Sequence, residues 1–523
     1  MDKNSEKESL NCGFDVIVLT AANEHQANGY RKELEFRKLA GILDKKVKTL
    51  VVSDLGGMRI GSFFATVNVL NLLRSELKEN AKILICHSGG DSRRTPAYAA
   101  AGKVFTPVPC KDVNGAPLAL FDLILRNCSL LPINSGVLIA SGDVVPTFDA
   151  SDVSKMDFSS AEIIGVAYFD SPQRGSRHGV YIPTELDVVS SCQRVAGFLQ
   201  KPDFETARNN GAINKDGCLA VDTGLVALSS AAGLKVAEIA NGNFISDVEA
   251  GLCHQMDLYE EFLMAALPNL DEVTYKERFA GKTSRPKYHD LLHVVYDIVH
   301  KMSFNVNVAS SCDFFHIGSS AELLSCYSGD NLLARRYGFA KGRRTDEKIH
   351  GDEVFAFNSP NVTIEAKGCA FVENVGYEGV LILDGRNIVT GLPNCAFNSI
   401  ALPEGVGIVA IPMGGGKWAA VAYGIKDDFK TPFSIGAKPC LFLNRPIEEW
   451  MEARSVAPTT LWNNDEKDGL WTARLWKVGS IEEVVEAAVA IAGGKVDGVK
   501  SETDISSAEC YSMAQLCLQK NNF

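Results

Sequence analysis

The sequence lacks several features that would assign it to a broad class of protein. No apolar run approaches the roughly 18–20 residues that a bilayer-spanning helix needs, so we expect no membrane partner. Basic charge is not in excess: 52 Lys and Arg stand against 64 Asp and Glu, which disfavours nucleic acid as a partner. The first dozen residues are polar and carry both signs, unlike a signal or transit peptide, which predicts a cytoplasmic protein.

Closely spaced cysteine pairs are also missing. The chain has 14 cysteines but no Cys-x-x-Cys, which favours scattered thiols in a reducing compartment over disulfides or zinc. What is present is ordinary globular composition: 523 residues, 46% hydrophobic and 22% charged. A chain of this size predicts two or three domains and a large core.

Residues 12–330 alternate strand-like and helix-like segments. The apolar runs "FDVIVLTAA", "VKTLVVSD" and "KILICHS" are separated by amphipathic stretches, a pattern that predicts a parallel, doubly wound sheet. We expect an α/β domain with a Rossmann-like, doubly wound mixed sheet. Ligands bind such sheets at the carboxyl ends of the strands, so the polar residues that follow each strand are the candidates for a site.

Residues 345–440 have a different pattern. Short apolar triplets recur at a spacing of roughly five to seven residues between Gly, Asn, Asp and Pro, which predicts a parallel β-helix-like domain. A β-sandwich is the alternative. Residues 441–523 are expected to form a short helical and irregular region packed on the β-helix. They contain one clear helix, Ser480–Gly493, with Ser480 as N-cap and a Glu three residues later.

The stretch "HSGGDSRRTPAYAAAGKVFTPVP" follows a buried strand and combines glycines with basic side chains. The backbone N–H groups of such a loop converge and bind phosphate oxygens. Arg94 is a candidate for a two-pronged phosphate contact, and Lys103 for a point charge. The alternative is a surface turn with solvated charges. The loop is neither a Walker A motif nor a dinucleotide fingerprint.

Acidic and basic side chains also stand near the ends of other strands. Asp143, in "ASGDVVP", suits Mg²⁺, although an Asp that begins a turn is the alternative. Asp222 lies in an apolar strand beside Gly224, where an acid is unfavourable unless it binds something or is paired. Lys201 precedes a proline and is a candidate phosphate ligand or an exposed turn lysine.

Three more residues have strong alternative interpretations. His178, before Gly179 in "SRHGVY", is either a pocket residue or a structural histidine. Asp257, in "QMDLY", begins a helix, where the helix dipole alone favours an acid. His316 in "FFHIGSS" repeats the strand–Gly–Ser–helix pattern.

The order of these segments resembles the sugar-1-phosphate nucleotidyltransferases. That family has G-G-x-x-x-R, a Lys before Pro, G-D, K-P, N/D-x-G, E-K-D and W-x-D-I-G-T in sequence. Here "GGDSRR", "GKVFTPVP", "SGDV", "LQKP", "VDTGL", "QMDLY" and "FFHIGSS" occur in that order. With "FDVIVLTAANEHQ", "VAYGIKDD" and "LWTARLWKV", the wording is similar to the fucose-1-phosphate guanylyltransferase family over most of the chain. No GHMP-kinase Pro-x-x-x-Gly-Leu-Gly-Ser-Ser stretch occurs, so we expect the stand-alone form without a fused fucokinase.

The resemblance implies a nucleotidyltransferase, GT-A-like fold and the reaction GTP + β-L-fucose 1-phosphate → GDP-L-fucose + pyrophosphate. It implies Mg²⁺ or another divalent cation, and by analogy a homodimer. One alternative is the same chemistry on another sugar 1-phosphate, such as D-arabinose 1-phosphate. The other is a catalytically inactive regulator that binds a nucleotide sugar.

The resemblance also implies roles for individual residues. Catalysis would fall to Arg94, Lys103 and Asp143. The nucleotide-binding set would be Gly61, Thr66, Ser88, Gly89, Gly90 and Ser92. The sugar-phosphate set would be His178, Gly179, Lys201, Asp222, Gly224, Asp257 and His316. The metal would be held by Asp143 and Asp222.

Some positions depart from the family pattern. In "RIGSFFAT", Phe63, Phe64 and Ala65 replace a glycine-rich run, and we expect the rings to crowd a phosphate or base. This expectation motivates the inactive-regulator alternative. Arg94 falls on the family's arginine, whereas Arg93 is expected to be a solvated neighbour. His316 replaces an Asp of the wider superfamily, so we expect it to donate a hydrogen bond rather than bind metal.

Overall fold

A computed structural model describes residues 13–88, 91–112, 115–188, 191–327, 336–337, 339, 347–433, 439–463, 469–497 and 510–519. The chain divides into two compact units: residues 1–89 with 120–315, and residues 90–119 with 316–523. The three-part division predicted above stays a prediction. None of the helices in these described ranges is long and apolar enough to cross a membrane.

The strands, in chain order, are β1 Val16–Ala21, β2 Lys48–Ser53, β3 Lys82–His87, β4 Pro107–Lys111, β5 Pro117–Ala119, β6 Gly136–Ser141, β7 Val144–Thr147, β8 Ile163–Asp170, β9 Gly179–Pro183, β10 Ser191–Gln200, β11 Leu219–Leu228, β12 Phe304–Ala309, β13 Asp313–His316, β14 Ile349–His350, β15 Glu353–Phe357, β16 Thr363–Ala366, β17 Cys369–Glu373, β18 Val380–Leu383, β19 Asn387–Thr390, β20 Ser399–Leu402, β21 Val406–Gly414, β22 Lys417–Gly424, β23 Leu441–Phe442, β24 Arg445–Pro446, β25 Trp476–Gly479, β26 Lys495–Val496 and β27 Cys510–Tyr511.

The α-helices are α1 Glu24–Leu39, α2 Ser62–Leu72, α3 Arg74–Lys78, α4 Leu120–Ser129, α5 Ala150–Val153, α6 Pro172–Gly175, α7 Phe204–Asn209, α8 Ser230–Ala237, α9 Phe244–Glu249, α10 Leu263–Ala265, α11 Glu272–Ala280, α12 Pro286–Val299, α13 Ser320–Tyr327, α14 Ile447–Ala453, α15 Pro458–Leu461, α16 Ile481–Ile491 and α17 Met513–Gln519. Short 3-10 turns cover Leu55–Gly57, Pro96–Tyr98 and Glu238–Ala240, and a π-helical turn covers Leu258–Phe262.

The first unit is built on a nine-stranded mixed sheet with the order β2-β1-β3-β6-β11-β8-β12-β10-β9. Strands β2, β1, β3 and β6 pair in parallel, as do β8 and β12. Strands β9, β10 and β11 run antiparallel to their neighbours. The α/β class and the mixed sheet are confirmed, but a parallel arrangement throughout is wrong. The connection from β9 to β10 is too short for the crossover that parallel pairing requires.

The direction of β11 determines where its acid lies. In the pairing of β11 with β6, Leu225 stands opposite Ala140, so the residues before Leu225 extend past the carboxyl end of β6. Asp222 pairs with Ala167 near the end of β8. Asp222 therefore reaches the carboxyl edge of β6 and β8 from within an antiparallel strand, and not from the loop after a parallel one.

The second unit contains two sheets, and successive strands along the chain join the two sheets alternately. Strands β14, β16, β18 and β20 pair in parallel in one sheet. Strands β15, β17, β19 and β21 do the same in the other, which β22 and β25 extend in antiparallel fashion. Apolar side chains from both sheets, such as Ile364 and Val372, share one core.

Helix α16 packs against this core through Val485 and Val489, which are buried with it. The Ser480 side chain accepts from the Glu483 N–H, and the Glu483 carboxylate accepts from the Ser480 N–H at 2.9 Å. This reciprocal cap fixes the start of the helix, since it satisfies two N–H groups that have no partner within the helix. The predicted helix and its N-cap are confirmed, with the helix ending at Ile491.

Candidate functional site

Asp143 follows β6 in a tight turn of the first unit. The Gly142 N–H donates to the carbonyl of His87 at 2.6 Å, which joins the end of β6 to the end of β3. The Ser141 hydroxyl donates to Asp143 Oδ1 at 2.8 Å. The carboxylate is half-buried and is oriented by its own turn, at the sheet edge predicted for it.

Asp222 is oriented by a β-bulge. The pairing of β11 with β8 shifts between Asp222 and Leu225, and Gly224 takes a φ of +78°. The Gly224 N–H donates to Asp222 Oδ2 at 3.0 Å, and the Thr223 hydroxyl donates to the Val166 carbonyl at 2.7 Å. Bulges of this kind redirect side chains next to active sites, and a glycine is favoured at the left-handed position.

The second oxygen of Asp222 has no hydrogen-bond partner among the described residues, although Asp222 is only 7% exposed. Burial raises the pKa of Asp222 to about 7, and the N–H of Gly224 and the nearby Tyr181 hydroxyl oppose that rise. A buried carboxylate oxygen without a donor is unfavourable unless a ligand, a cation or a proton meets it.

Asp143 and Asp222 are brought together around Tyr259. Burial, with the charges of Asp222 and Asp143, raises the pKa of the Tyr259 hydroxyl well above its usual value. A Cβ on Gly224 would lie 3.2 Å from Ser141 Cβ and 3.9 Å from the Tyr259 hydroxyl. Within the described ranges, no group of three or more His, Cys, Asp or Glu is placed to hold a metal. Two carboxylates are nevertheless enough for Mg²⁺, which takes its other ligands from phosphates and water.

His178, Gly179 and Lys201 lie beside this pair. A Cβ on Gly179 would stand 3.2 Å from Asp222 Cβ, which places the start of β9 against the acid. The His178 ring packs edge-on against Phe314 at 4.9 Å, and the His178 carbonyl accepts from the Lys201 N–H at 3.0 Å. Lys201 is exposed and has a φ of +49° directly before a proline. Such strain in a residue other than glycine is concentrated at functional sites.

Gly61 begins α2 at a close approach between two chain segments. Its φ is +85°, and a Cβ would lie 2.2 Å from the Met256 carbonyl oxygen. The Ser62 hydroxyl is 3.5 Å from Asp257 Oδ1 and accepts from the Leu258 N–H at 2.8 Å. Gly61 and Asp257 are therefore neighbours. Asp257 precedes the π-helical turn as predicted, but its side chain makes no capping hydrogen bond there.

Phe63 and Phe64 point into the core of the first unit, so the prediction that they crowd a ligand is wrong. Both are at most 1% exposed. Phe63 stacks on Phe262 at 4.8 Å, and Phe64 meets Phe244 edge-on at 5.0 Å. The sequence could not reveal this, because their partners lie almost two hundred residues further along the chain.

His87 is a residue that the sequence interpretation missed. Its Nδ1 is 3.1 Å from the Thr20 hydroxyl, and its Nε2 is 2.9 Å from the Thr66 hydroxyl, which also donates to the Ser62 carbonyl. Burial lowers the pKa of His87 to about 4. This neutral imidazole joins β1, β3 and the first turn of α2. Thr66 and Ser88 are buried beside this connection, whereas Gly89 and Gly90 lie outside the described residues.

Arg94 belongs to the second unit, on a loop held by backbone hydrogen bonds. The Thr95 N–H donates to the Ser92 carbonyl at 2.7 Å, and the Ser320 N–H donates to the Arg94 carbonyl at 2.8 Å. Ser92 is buried with a φ of +50°, in the left-handed region that favours glycine. The half-buried Arg94 guanidinium has no ion pair or hydrogen bond with any residue in the described part of the chain. It is therefore available to an anion.

Lys103 and His316 meet the same segment of the second unit. Lys103 is 5% exposed, and its ammonium donates to the Ile317 carbonyl at 3.1 Å. His316 Nδ1 lies 3.5 Å from Glu322 Oε2. Burial alone would raise the pKa of Glu322, but hydrogen bonds from His316 and from the turn of residues 318–319 lower it to about 2. Glu322 was also missed, although the Ser-Ser-Ala-Glu spacing is a capping-box signal.

The predicted residues that the structure describes thus fall into three neighbourhoods, two in the first unit and one in the second. In the first unit, Asp143, Asp222, Gly224, His178, Gly179 and Lys201 form one neighbourhood around Tyr259 and β9, and Gly61, Thr66, Ser88 and Asp257 form another around α2. In the second unit, Ser92, Arg94, Lys103 and His316 are joined through residues 316–320.

The fucose pyrophosphorylase domain model matches residues 75–480, and the chain therefore belongs to that family. An Arabidopsis thaliana bifunctional fucokinase/GDP-fucose pyrophosphorylase is 26% identical, over 91% of this chain and 48% of that protein. The mouse (Mus musculus) fucose-1-phosphate guanylyltransferase is 26% identical, over 62% of this chain and 58% of that protein. The chain thus spans about half the length of the curated relatives it matches.

Among solved structures, a UDP-glucose pyrophosphorylase complexed with UDP-glucose is similar to part of the chain. The sequence identity is 10% and the TM-score 0.29, over 60% of this chain and 80% of that chain.

Proposed function

We propose that this chain transfers GMP from GTP to β-L-fucose 1-phosphate, giving GDP-L-fucose and pyrophosphate. The observation that carries the proposal is the half-buried Arg94 guanidinium, which has no partner among the described residues and stands nine residues before the buried Lys103. Two cations held in this way suit a polyphosphate, and the family match selects the guanylyl-transfer chemistry.

In the proposed reaction, an oxygen of the sugar phosphate attacks the α-phosphorus of GTP. The bond from that phosphorus to the bridging oxygen of the pyrophosphate breaks, and pyrophosphate leaves. The attacking phosphate monoester is already an anion near neutral pH, so no strong general base is needed. The protein contributes position and positive charge: Arg94 and Lys103 bind the triphosphate, and Lys201 with His178 binds the sugar phosphate.

Mg²⁺ or another divalent cation belongs to the same proposal. Asp143 and Asp222 would hold it, supported by Oδ1 of Asp222, which has no hydrogen-bond partner within the described ranges, and by the shared neighbour Tyr259. When bound, the cation spreads the charge that develops on the phosphoryl oxygens. The turn around Asp143 and the bulge around Asp222 orient the two carboxylates, because each one accepts a hydrogen bond from its own strand.

The second unit is proposed to contain a parallel β-helix in its alternating sheets. The parallel pairing of every second strand from β14 to β21 supports this interpretation over a β-sandwich, whose sheets are antiparallel. The homodimer, the GT-A-like topology and the cytoplasmic location stay predictions.

A turnover assay tests the proposed function. Purified protein with GTP, Mg²⁺ and fucose 1-phosphate should release pyrophosphate and form GDP-fucose in equal amounts. Asp143→Asn should lower kcat/KM by about 10²-fold and raise the Mg²⁺ concentration needed for half-maximal rate. Asp297→Asn, at an exposed position of α12, is the matched control and should leave kcat/KM and the Mg²⁺ requirement unchanged.

Three outcomes would count against the proposal. A higher kcat/KM with D-arabinose 1-phosphate than with fucose 1-phosphate would make D-arabinose 1-phosphate the preferred substrate. GDP-fucose binding without any pyrophosphate release would support the inactive-regulator alternative. That alternative was based on Phe63 and Phe64 crowding a ligand, and their burial removes this reason for it. Wild-type turnover in Asp143→Asn would refute the assigned role of that carboxylate.

A further inference from the structure

Arg93 is not the solvated neighbour that the sequence predicted. Its guanidinium Nη2 lies 2.8 Å from Asp91 Oδ2, and its Nε donates to the same oxygen at 2.9 Å. The guanidinium carbon stands 4.7 Å from the centre of the Trp471 ring. The arginine is thus held between a carboxylate of its own loop and an indole of the C-terminal region, all within the second unit.

The backbone of the loop is anchored to the same unit. The Phe429 N–H donates to the Arg93 carbonyl at 3.2 Å, next to the bond from Ser320 to Arg94. Phe429 stacks on Trp476 at 5.9 Å, and Trp471 and Trp476 belong to the single segment "LWTARLWKV". The sequence predicts only packing for this segment. Here it contacts the residue adjacent to the proposed triphosphate ligand Arg94.

Asp91 has an unfavourable charge for the proposed function. GTP carries several negative charges on its triphosphate, and a carboxylate three residues from Arg94 repels them. The Asp91–Arg93 pair cancels that charge within the loop. Trp471 holds the guanidinium in place, because an arginine stacked on an indole loses access to other rotamers.

We propose that Trp471, Arg93 and Asp91 form a positioning triad through which the C-terminal segment prepares the loop for the triphosphate. Arg93 and Trp471 act as positioning residues, and they do not touch the reacting atoms. This inference rests on the proposed function, since the triad acts on the affinity for the nucleotide and not on the chemical step.

A double-mutant experiment tests the triad. Arg93→Ala should raise the KM for GTP by about 10-fold with kcat within about 3-fold, since the variant loses the guanidinium that offsets the Asp91 charge, and that charge then repels the triphosphate more strongly. Adding Asp91→Asn to Arg93→Ala should restore most of the affinity, because the repelling charge is gone. Arg93→Lys should retain part of it. A purely structural role of Arg93 predicts no rescue by Asp91→Asn.

Two further measurements distinguish the electrostatic role from a folding defect. The excess KM of Arg93→Ala should shrink as salt rises from about 0.05 to 0.5 M, because salt screens the repulsion. Trp471→Ala should raise the KM for GTP more than Trp471→Phe does. Arg454→Ala is the matched control, since Arg454 stands 4.9 Å above the Trp450 ring in the same unit, and it should leave the KM unchanged.

The outcomes separate the triad from the proposed function. If the wild-type protein releases no pyrophosphate, the proposed function fails, and calorimetric binding of GTP to the same variants tests the triad instead. A wild-type KM or Kd in Arg93→Ala, or a double mutant no better than Arg93→Ala, would overturn the triad while the turnover of the wild type stands.

Discussion

The carboxylates of the first unit and the cations of the second are held by different means. Asp143 and Asp222 stand on the edge of a nine-stranded sheet, where a turn and a bulge fix each side chain through residues at most two positions away. Arg94 stands on a loop whose anchors, Ser320 and Phe429, lie more than two hundred residues away in sequence. Carboxylates that are oriented by neighbours in the sequence can be predicted from it, whereas the distant residues that anchor a loop cannot.

The largest effect on turnover is expected from substitution of Lys103, one of the two cations of the second unit. Lys103→Ala should lower kcat/KM by about 10³-fold, because it removes the buried ammonium that the proposed reaction uses to stabilise developing charge. Lys111→Ala, an exposed lysine on β4, is the matched control and should keep wild-type turnover. Initial rates with saturating fucose 1-phosphate measure both. A loss below 10-fold would show that the buried ammonium contributes only to packing.

Gly61→Ala tests how rigid the first unit is beside its sheet. The added Cβ would meet the Met256 carbonyl at 2.2 Å in a left-handed backbone, so the free energy of unfolding should fall by about 2–4 kcal/mol. Gly29→Ala in α1 meets nothing within 4 Å and should stabilise by about 0.5–1 kcal/mol. Urea titrations compare the two. Equal stabilities would mean that the loop before α2 moves aside freely.

The acid of β11 predicts a pH dependence. Because burial raises the folded-state pKa of Asp222 to about 7, its proton stabilises the fold below the unfolded pKa. That contribution is lost as pH rises from about 4 through 7. Asp222→Asn should therefore gain stability relative to the wild type over this window, and the wild type should bind Mg²⁺ more tightly at pH 8 than at pH 6. Buried Asp427 has a similarly raised pKa and is unchanged in both proteins, so it cancels in the comparison.

The smallest effect is expected at the replaced glycine-rich run. Phe63→Leu should lower the free energy of unfolding by about 1 kcal/mol because it loosens the stack on Phe262, and the KM for GTP should not change. Phe36→Leu, on a 48% exposed ring, should stay within about 0.5 kcal/mol of the wild type. A changed KM in Phe63→Leu with a normal Phe36→Leu would restore the idea that this ring meets the nucleotide.

The sequence predicted the strands that carry the acids, because buried runs followed by polar residues are local signals. It also predicted the capped helix α16 from the spacing of Ser480 and Glu483. Strand direction could not be predicted from the sequence, because the antiparallel course of β11 depends on pairing with β6 and β8, which no local pattern encodes.

The same limit explains the two errors of interpretation. Phe63 and Arg93 were assigned from the residues beside them in the chain, where both looked exposed to a ligand or to water. Their actual partners, Phe262 and Trp471, are distant in sequence, so burial and pairing became visible only in the folded chain.

The anchoring of residues 91–95 has a consequence for protein synthesis. Trp471 is translated 378 residues after Arg93, which at about 5–20 residues per second is roughly 20–75 s later. During that interval the nascent chain already contains Arg94 and Lys103 but lacks the indole, and until residue 429 is made it also lacks the amide that anchors the Arg93 carbonyl. The triphosphate binding proposed for this loop should thus be completed late in synthesis, when the "LWTARLWKV" segment emerges, and not gradually as the sheet of the first unit forms.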